Sequence, residues 1–277
     1  MPIKQFRYTL PRKRAIKSGA VDHWYECDLK RMARVLERVR QEGPLMAKDF
    51  DKGTKQTAVW GSKPAKQALE YLFMQGDLMI QKRSQFHKVY DLTERVISSD
   101  TDTAHPSTDE YYRFLIIQFL KANGLGQEAD MVYLLKNMRG KLKPVLNTLC
   151  EEQLIKIVEV ADQHYYGLSE CLSLLAKPLN RNRVKILSPF DNLLIQRKRM
   201  QQLFNFDYQI ECYVPETKRQ YGYFCLPLLW EGELMGRMDC KADRKTKTLK
   251  LHSLSVEKPI KDQQKFTAGF AKELFAG

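Results

Sequence analysis

The sequence predicts an α+β fold in which tandem winged-helix (helix-turn-helix) units precede an antiparallel β-barrel-like C-terminal domain. Two successive segments repeat the order helix, helix, helix and β-hairpin, and the pattern changes from helical to extended after Val184. With 277 residues, 43% hydrophobic and 29% charged, the chain has the profile of a folded protein of two or three domains. We expect a basic N-terminal segment (1–27), a winged helix (28–97), a linker (98–107), a second winged helix (108–177) and a β-rich domain with a terminal helix (183–277).

The first predicted winged helix contains three helices and a hairpin. Its first two helices are expected at 29–41 and 46–50, and its strands at 78–80 and 89–92. Gly43-Pro44 ends the first helix. Ser62 can cap the third helix, which has Pro64 in its first turn and breaks at Gly76. The polar tip of the hairpin, residues 81–88, carries several cations, which is typical of the wing of a winged helix.

The same order of elements recurs in the second predicted winged helix. Thr108 can cap a first helix that runs to about Ala122, and further helices are expected at 127–136 and from 141 to about 150. Strands at 154–158 and 165–168 form a second hairpin. The residues from Ser98 to Ser107, rich in Ser, Thr and Asp, are typical of a linker between the two units.

The last domain is predicted to contain several short strands. They are expected at 208–214, 221–230, 234–239 and 248–256, with Glu231-Gly232-Glu233 as a tight turn. Short connections between strands favour an antiparallel sheet that is closed or half-closed into a barrel. A final helix at about 261–275 is expected to pack Phe266 and Phe270 inward.

The chain is strongly basic, with a formal net charge of +13 and a sequence pI near 9.4. Such a surplus is typical of proteins with a polyanionic partner, although a merely basic protein is the alternative. No apolar stretch approaches the roughly 18 residues of a membrane span, and the basic N-terminus lacks the apolar core of a secretory signal. The six scattered cysteines lack metal-ligand spacing, which indicates free thiols in a reducing cytoplasm and no structural zinc.

The third helix and the wing of each unit are the candidate DNA-binding elements, because a helix or a β-ribbon fits the major groove. Cations there can neutralise phosphates. The stretch from Lys218 to Tyr223 mixes cations with aromatic residues, as phosphate and base contacts require. The alternative is an ordinary solvated surface. The predicted DNA-binding residues are Lys63, Lys66, Lys82, Arg83 and Lys88 in the first unit, Arg139, Lys141 and Lys143 in the second, and Arg197, Arg199, Lys218, Arg219 and Tyr221 in the C-terminal domain.

Two other polar motifs have a structural and a functional interpretation. Ser188 or Asp191 can cap the helix that follows them. The run from Asp239 to Arg244 could form a metal or acid/base site, but a turn with ion pairs around Asp243 is the favoured interpretation. The sequence has no nucleophilic triad, phosphate-binding Gly loop or metal motif, so we predict no catalytic residue, metal site or cofactor.

Several blocks of specific sequence run through the chain. In the C-terminal part they are Ser188-Pro-Phe-Asp191, Arg197-Lys-Arg199, Glu211-Cys-Tyr-Val-Pro215, Lys218-Arg-Gln-Tyr-Gly-Tyr-Phe224, Leu226-Pro-Leu-Leu229 and Gly236-Arg-Met-Asp239. Upstream they include Gly43-Pro44, Lys63-Pro64 and Val89-Tyr-Asp-Leu-Thr-x-Arg95. Together these blocks closely resemble the YcaQ/AlkZ family of bacterial winged-helix DNA glycosylases over almost the whole chain, and the YcaQ-like branch most.

The resemblance implies a DNA-repair enzyme that hydrolyses the N-glycosidic bond of alkylated purines and, in the YcaQ-like branch, unhooks interstrand crosslinks. In the family, the chemistry falls to a Gln-apolar-Gln or Gln-apolar-Asp motif in a winged-helix unit that precedes the two units above. The nearest strings here, Gln75-Gly-Asp77 and Gln209-Ile-Glu211, do not match that motif. We therefore assign no catalytic residue, and the sequence leaves enzymatic activity open. Either sequence upstream of Met1 encodes such a unit, which is the expectation tested first, or the protein is naturally shortened or trimmed.

The expected function is DNA binding in crosslink or alkylation repair. The protein would be a cytoplasmic, nucleoid-associated monomer that binds double-stranded DNA, damaged or crosslinked duplex included. One alternative is a winged-helix transcription regulator with a C-terminal sensor or assembly domain, which should dimerise on a palindromic site. The other is a winged-helix protein that binds proteins and not DNA.

Overall fold

The computed structural model describes residues 2–50, 63–177 and 183–275. The chain divides into two compact units, Met1–Tyr111 and Tyr112–Gly277. Both contain helices and antiparallel sheets, so the mixed helix-and-sheet class is confirmed.

The first unit combines two long helices with a small antiparallel sheet. Its elements are α1 (Leu10–Lys17), α2 (Leu29–Glu42), β1 (Leu45–Met46), α3 (Pro64–Gln75), β2 (Leu78–Ser84), β3 (His87–Leu92) and α4 (Thr93–Val96), with 3-10 helices at Ile3–Thr9 and Ala47–Phe50. Strands β2 and β3 form the predicted hairpin, and β1 pairs with the other edge of β3. The resulting strand order is β1-β3-β2.

An apolar face on each long helix forms the core of the first unit. Met32, Val35 and Val39 of α2 recur every three to four residues and are buried against Leu69 and Leu72 of α3. The helix predicted at 29–41 is therefore confirmed, with one residue added at its C-terminal end.

Helix α1 is anchored to α3 by a buried lysine. Nζ of Lys13 donates to the carbonyl oxygen of Phe73 at 2.7 Å and lies 4.7 Å from the centre of the Phe73 ring. Burial lowers the pKa of Lys13 to about 8, although the Asp77 carboxylate acts in the opposite direction. Part of the basic N-terminal segment thus packs as a helix in the first unit.

Two details of the first unit differ from the prediction. Leu45 and Met46 pair with β3 instead of opening a helix, and a 3-10 helix follows at Ala47–Phe50. The Asp49 carboxylate stabilises this turn by accepting a hydrogen bond from the backbone N–H of Met46 at 2.7 Å. Ser62, predicted to cap α3, lies outside the described residues.

The order of elements then recurs. The chain continues with α5 (Thr108–Asn123), β4 (Leu125–Gly126), α6 (Glu128–Met131), α7 (Lys143–Glu151), β5 (Ile155–Val160), β6 (Gln163–Leu168), α8 (Ser169–Leu172) and a 3-10 helix at Ser173–Ala176. Strands β5 and β6 form a hairpin, β4 pairs with β6, and the strand order is β4-β6-β5. Ile116 and Leu120 of α5 pack with Leu146 and Leu149 of α7.

Two predicted details of this second segment are wrong. Ser107, not Thr108, caps α5, because its Oγ accepts a hydrogen bond from the N–H of Glu110 at 3.1 Å. The Glu110 carboxylate accepts the N–H of Ser107 in return at 2.7 Å, which completes a capping box. The helix predicted at 127–136 ends at Met131, and turns closed by backbone hydrogen bonds follow it.

The C-terminal part of the second unit is an open sheet with one long covering helix. It contains β7 (Lys185–Ile186), α9 (Arg197–Phe204), a 3-10 helix (Glu216–Lys218), β8 (Cys225–Trp230), β9 (Glu233–Asp243), β10 (Thr248–Val256) and α10 (Gln263–Leu274). The strand order is β10-β9-β8-β7. Phe266 of α10 packs edge-on against Trp230, with ring centroids 5.7 Å apart. Glu231 and Gly232 have positive φ angles of 52° and 89°, so the predicted tight turn is confirmed.

The barrel prediction is wrong, because β7 and β10 lie at opposite edges of the sheet and do not pair. The strand predicted at 208–214 is irregular backbone instead, and β8 begins at Cys225 rather than at Tyr221. In both segments polar groups form hydrogen bonds outside a strand ladder. The Tyr208 hydroxyl donates to the Cys225 carbonyl oxygen at 2.7 Å, and the N–H groups of residues 220–224 donate to carboxylates.

Candidate nucleic-acid interface

The first wing, the hairpin formed by β2 and β3, carries two free cations. Its residues 81–87 are all exposed, and neither Lys82 nor Arg83 forms an ion pair with the described residues. Lys88, the third cation predicted there to bind DNA, is instead held by Glu70, whose Oε1 lies 2.6 Å from its Nζ. The first wing can therefore offer Lys82 and Arg83 to a ligand, whereas Lys88 fastens the hairpin to α3.

The two predicted groove-facing helices present different numbers of cations. On α3, Lys66 is exposed, whereas Lys63 at the N-terminal end is partly buried. At the start of α7, Arg139, Lys141 and Lys143 are all exposed, and none forms an ion pair with the described part of the chain. The start of α7 is therefore the denser cationic surface.

Arg199 is buried and has a structural role. It is only 3% exposed, and its Nη2 donates to the carbonyl oxygens of Asn123 and Leu125, both at 2.9 Å. Burial lowers the pKa of this guanidinium group, and the nearby Asp130 partly offsets that effect. Arg199 ties α9 to the end of α5 and cannot reach a phosphate, so it leaves the predicted DNA-binding set. Arg197 on the same helix is exposed.

Two buried carboxylates fold the loop at residues 211–224. Glu211 accepts hydrogen bonds from the backbone N–H groups of residues 220–222 at 2.9, 2.8 and 3.1 Å. Asp239 accepts from the N–H groups of residues 223 and 224 at 2.7 and 3.4 Å. Gly222 has a φ of 149°, and a Cβ atom there would collide with the Asp239 carboxylate. These acids in specific sequence blocks therefore bind backbone groups of their own chain.

Arg237 closes the base of the 211–224 loop. It is 3% exposed and contacts both carboxylate oxygens of Glu257, at 2.7 and 2.8 Å. Its Nη2 also donates to the carbonyl oxygen of Asp207 at 2.6 Å. The guanidinium carbon lies 3.8 Å from the centre of the Tyr221 ring. One face of Tyr221 is therefore already covered, and the predicted base contact by this residue cannot use that face.

The outer side of the 211–224 loop exposes aromatic rings and cations together. Tyr213 is 90% exposed, and Tyr223 and Lys218 are exposed as well. The guanidinium carbon of Arg219 lies 5.0 Å from the centre of the Tyr223 ring, and its Nε donates to the carbonyl oxygen of Val214 at 3.0 Å. Stacking rings beside cations suit single-stranded or splayed bases and their phosphates.

The hairpin between β9 and β10 is a cationic surface that the sequence analysis did not assign to DNA. Its exposed cations are Lys241, Arg244, Lys245, Lys247 and Lys250. Several of them line a shallow cavity of about 520 Å³. Asp243 accepts backbone hydrogen bonds from Lys245 and Thr246 at 3.0 and 3.3 Å and lies 3.8 Å from Nζ of Lys250. A turn around Asp243 is therefore the correct interpretation, and the described residues contain no group of side chains suited to a metal ion.

The block from Ser188 to Asp191 forms a turn and does not cap a helix. Oγ of Ser188 accepts a hydrogen bond from the N–H of Phe190 at 3.3 Å, and Oδ1 of Asp191 accepts from Leu193 at 2.9 Å. Helix α9 begins at Arg197 with Gln196 in the cap position, so the predicted capping is wrong.

Three of the six thiol groups have raised pKa values. All six cysteines are free, as their scattered spacing predicts. Burial raises the pKa of the Cys225 thiol to about 11, and burial also raises the pKa values of Cys150 and Cys240. These thiols are therefore protonated at neutral pH.

In the described part of the chain, no helix has the length and apolar character required to cross a membrane.

Comparison with known proteins identifies one family. A family model described as "DNA glycosylase AlkZ-like" matches residues 1–275. Among solved structures, the DNA glycosylase AlkZ of Streptomyces sahachiroi matches with a TM-score of 0.55 at 15% sequence identity. The match covers 98% of this chain and 75% of that one. At this identity the structural likeness shows a shared fold.

Proposed function

Because the chain belongs to the AlkZ-like DNA glycosylase family, we propose that it is a DNA-repair protein whose described residues bind double-stranded DNA. The observation that supports the proposal is a set of exposed cations at the start of α7 that form no ion pair with any residue the structure describes: Arg139, Lys141 and Lys143. Cations at the end of a helix that faces a groove neutralise phosphates and release their counterions. A net charge of +13 supports the same partner.

The two similar segments support a tandem winged-helix arrangement. In each, a short strand before the last long helix joins the hairpin after that helix in a three-stranded sheet of the same topology, with orders β1-β3-β2 and β4-β6-β5. On this proposal α3 and α7 are the helices that enter a groove, and each hairpin is a wing. On this proposal the protein binds as a monomer. It shows little sequence preference, because phosphate contacts carry no sequence information.

The proposed substrates are duplexes that contain alkylated purines or interstrand crosslinks, as the family resemblance implies. A purine alkylated at N7 is cationic, so its departure needs little acid assistance and mainly a placed water. The described carboxylates in the specific blocks accept backbone hydrogen bonds, which does not suit them to activate that water. We therefore propose that the residues described here position DNA and do not cleave the glycosidic bond.

Removing two of the three exposed cations at the start of α7 is expected to weaken both duplex binding and its dependence on salt. For the variant Lys141→Gln/Lys143→Gln, affinity at 0.1 M salt should fall about tenfold or more, since each lost phosphate contact lowers the log-log salt slope by about 0.9. Fluorescence anisotropy of a labelled duplex across several salt concentrations measures both quantities.

The matched control removes two cations that are already ion-paired. Arg38→Gln/Arg40→Gln removes the same formal charge as the first double variant. Its two guanidinium groups, however, already form ion pairs, each 2.6 Å long, with Glu42 and Glu37. We expect this variant to keep most of the wild-type slope. Equal effects of both double variants, a flat wild-type salt response or strong preference for one duplex sequence would each contradict the proposal.

A further inference from the structure

The first wing projects from the body of its unit with an apolar side chain at its end. All residues from Gln81 to His87 are exposed, so nothing described packs against this part of the hairpin. Ser84 pairs with His87, which leaves Gln85 and Phe86 as the turn. Gln85 takes the left-handed conformation with a φ of 54°. Phe86 at the tip is 93% exposed.

Two exposed cations lie on one strand of the same hairpin, close behind the phenyl ring. Lys82 and Arg83 are exposed on β2. They lie two residue pairs and one residue pair behind the closing pair Ser84–His87, and they form no ion pair with the described residues. Lys88 on the opposite strand pairs with Arg83 and is bound to Glu70, which attaches the hairpin to α3 one residue pair behind its closing pair. The end of the hairpin therefore combines an attachment to α3, two exposed cations and an apolar tip.

The second wing, formed by β5 and β6, lacks these features. Its turn is Ala161-Asp162, with Glu159 paired to His164 behind it. No aromatic side chain stands at this tip, and an acidic group replaces the cations. Because the topology of the two sheets is the same, the phenyl tip is not a requirement of the fold.

We infer that Phe86 is a wedge that inserts between adjacent base pairs of duplex DNA, with Lys82 and Arg83 on the flanking phosphates. Apolar side chains inserted at a base step partly unstack it and kink the duplex. A phenyl ring suits this role, because it gains the stacking contact that an exposed tip lacks. The inference rests on the proposed function, since it requires that the protein binds duplex DNA.

Insertion also has a use in repair of alkylated DNA. Access to a glycosidic bond requires that the target nucleotide leave the stack, and the cost of unstacking is smallest at a damaged base. A wedge that opens a base step lowers the remaining cost at the neighbouring nucleotide. The second wing, with Asp162 at its tip, is not expected to perform this step.

The test is a plasmid-relaxation assay, which needs no knowledge of where the protein binds. Relaxed closed-circular DNA is incubated with the protein and a type I topoisomerase, and the topoisomers are separated after the protein is removed. A wedge unwinds the duplex, so the wild type should shift the topoisomer distribution. Phe86→Ala should lose that shift and bind linear duplex about fivefold or more weakly, with an unchanged salt slope.

Two further variants separate the wedge from other effects. Phe86→Leu keeps an apolar side chain and should retain part of the topoisomer shift. Phe275→Ala removes an aromatic side chain that is 86% exposed elsewhere and should behave as the wild type. Since residue 86 is solvent-exposed, thermal unfolding of the variants should match the wild type.

The outcomes distinguish failure of the Phe86 wedge from failure of duplex DNA binding itself. If the wild type binds duplex DNA without a topoisomer shift, or Phe86→Ala keeps the shift, the wedge is refuted and DNA binding stands. That result would leave a protein partner as the ligand of the tip. If the wild type does not bind duplex even at low salt, the proposed function itself fails.

Discussion

Glu211→Ala is expected to lower the free energy of unfolding by about 3 kcal/mol or more, because three backbone N–H groups lose a charged acceptor at once. A hydrogen bond to a charged group contributes about 1.5–3 kcal/mol. Water can solvate part of the opened loop, which keeps the expected loss below the simple sum. Urea unfolding measures the loss, and hydrogen exchange at residues 220–222 should accelerate in the variant.

The charge of Glu211 adds a pH dependence with a defined sign. Burial alone would raise its pKa, but the N–H groups of residues 220–222 and the nearby Arg237 outweigh burial and hold the pKa below its ordinary 4.5. A carboxyl group with a lowered folded-state pKa stabilises the protein above pH 4.5 and loses that effect as the pH falls through the folded-state value. The stability difference between wild type and Glu211→Gln should therefore shrink below that pH. Glu216→Ala, an exposed change in the same loop, should cost less than about 0.5 kcal/mol; a similar cost for Glu211→Ala would refute this role.

Arg237→Met is expected to be the second severe change, with a loss of about 3–5 kcal/mol. The variant leaves Glu257 and the Asp207 carbonyl oxygen without their partner and removes the cation that covers Tyr221. Arg237→Lys should lie between wild type and Arg237→Met, because an ammonium group cannot reproduce the two-point contact.

The control for Arg237 is a surface ion pair in the same unit. Nζ of Lys265 lies 3.3 Å from Glu231, and both side chains are well exposed. Lys265→Met should cost less than about 1 kcal/mol in the same unfolding experiment. If Arg237→Met were no more destabilising than Lys265→Met, the guanidinium would not hold the 211–224 loop.

Local patterns were sufficient to predict most helices and hairpins. The spacing of Met32, Val35 and Val39 predicts α2 because burial of one helix face depends only on residues close in sequence. The hairpins of both wings follow equally from apolar runs separated by a polar turn. The N-terminal boundary of α5 was one residue off, because Ser107 and Thr108 are both good caps.

The C-terminal domain was less predictable because distant groups decide its structure. Alternation at 208–214 is typical of a strand, but Tyr208 and Glu211 bond to residues further along the chain. Barrel closure depends on pairing between β7 and β10, about sixty residues apart, which no local pattern reports.

In the candidate interface, too, contacts between residues distant in sequence could not be predicted from local patterns. The exposed cations Arg139, Lys141 and Lys143 were predictable from their position just before and at the start of a helix. The burial of Arg199 was not, because its acceptors at Asn123 and Leu125 lie far upstream. The cations of the β9–β10 hairpin could not be predicted to face solvent, because the charge run from Asp239 is equally typical of local ion pairs; in the described residues the ion pair within 4 Å of Asp243 is with Lys250.

The central claim is that the described residues bind duplex DNA while their buried carboxylates hold the backbone. Correct placement of the reacting groups contributes many orders of magnitude to a rate, and Glu211 and Asp239 already bind N–H groups of their own chain. The most direct measurement saturates a duplex containing N7-methylguanine with the purified chain, then heats it in base to cut any abasic site. We expect full binding with strand cleavage at the no-protein level. Cleavage well above that level, lost in Asp239→Asn while folding and DNA binding are kept, would contradict the claim.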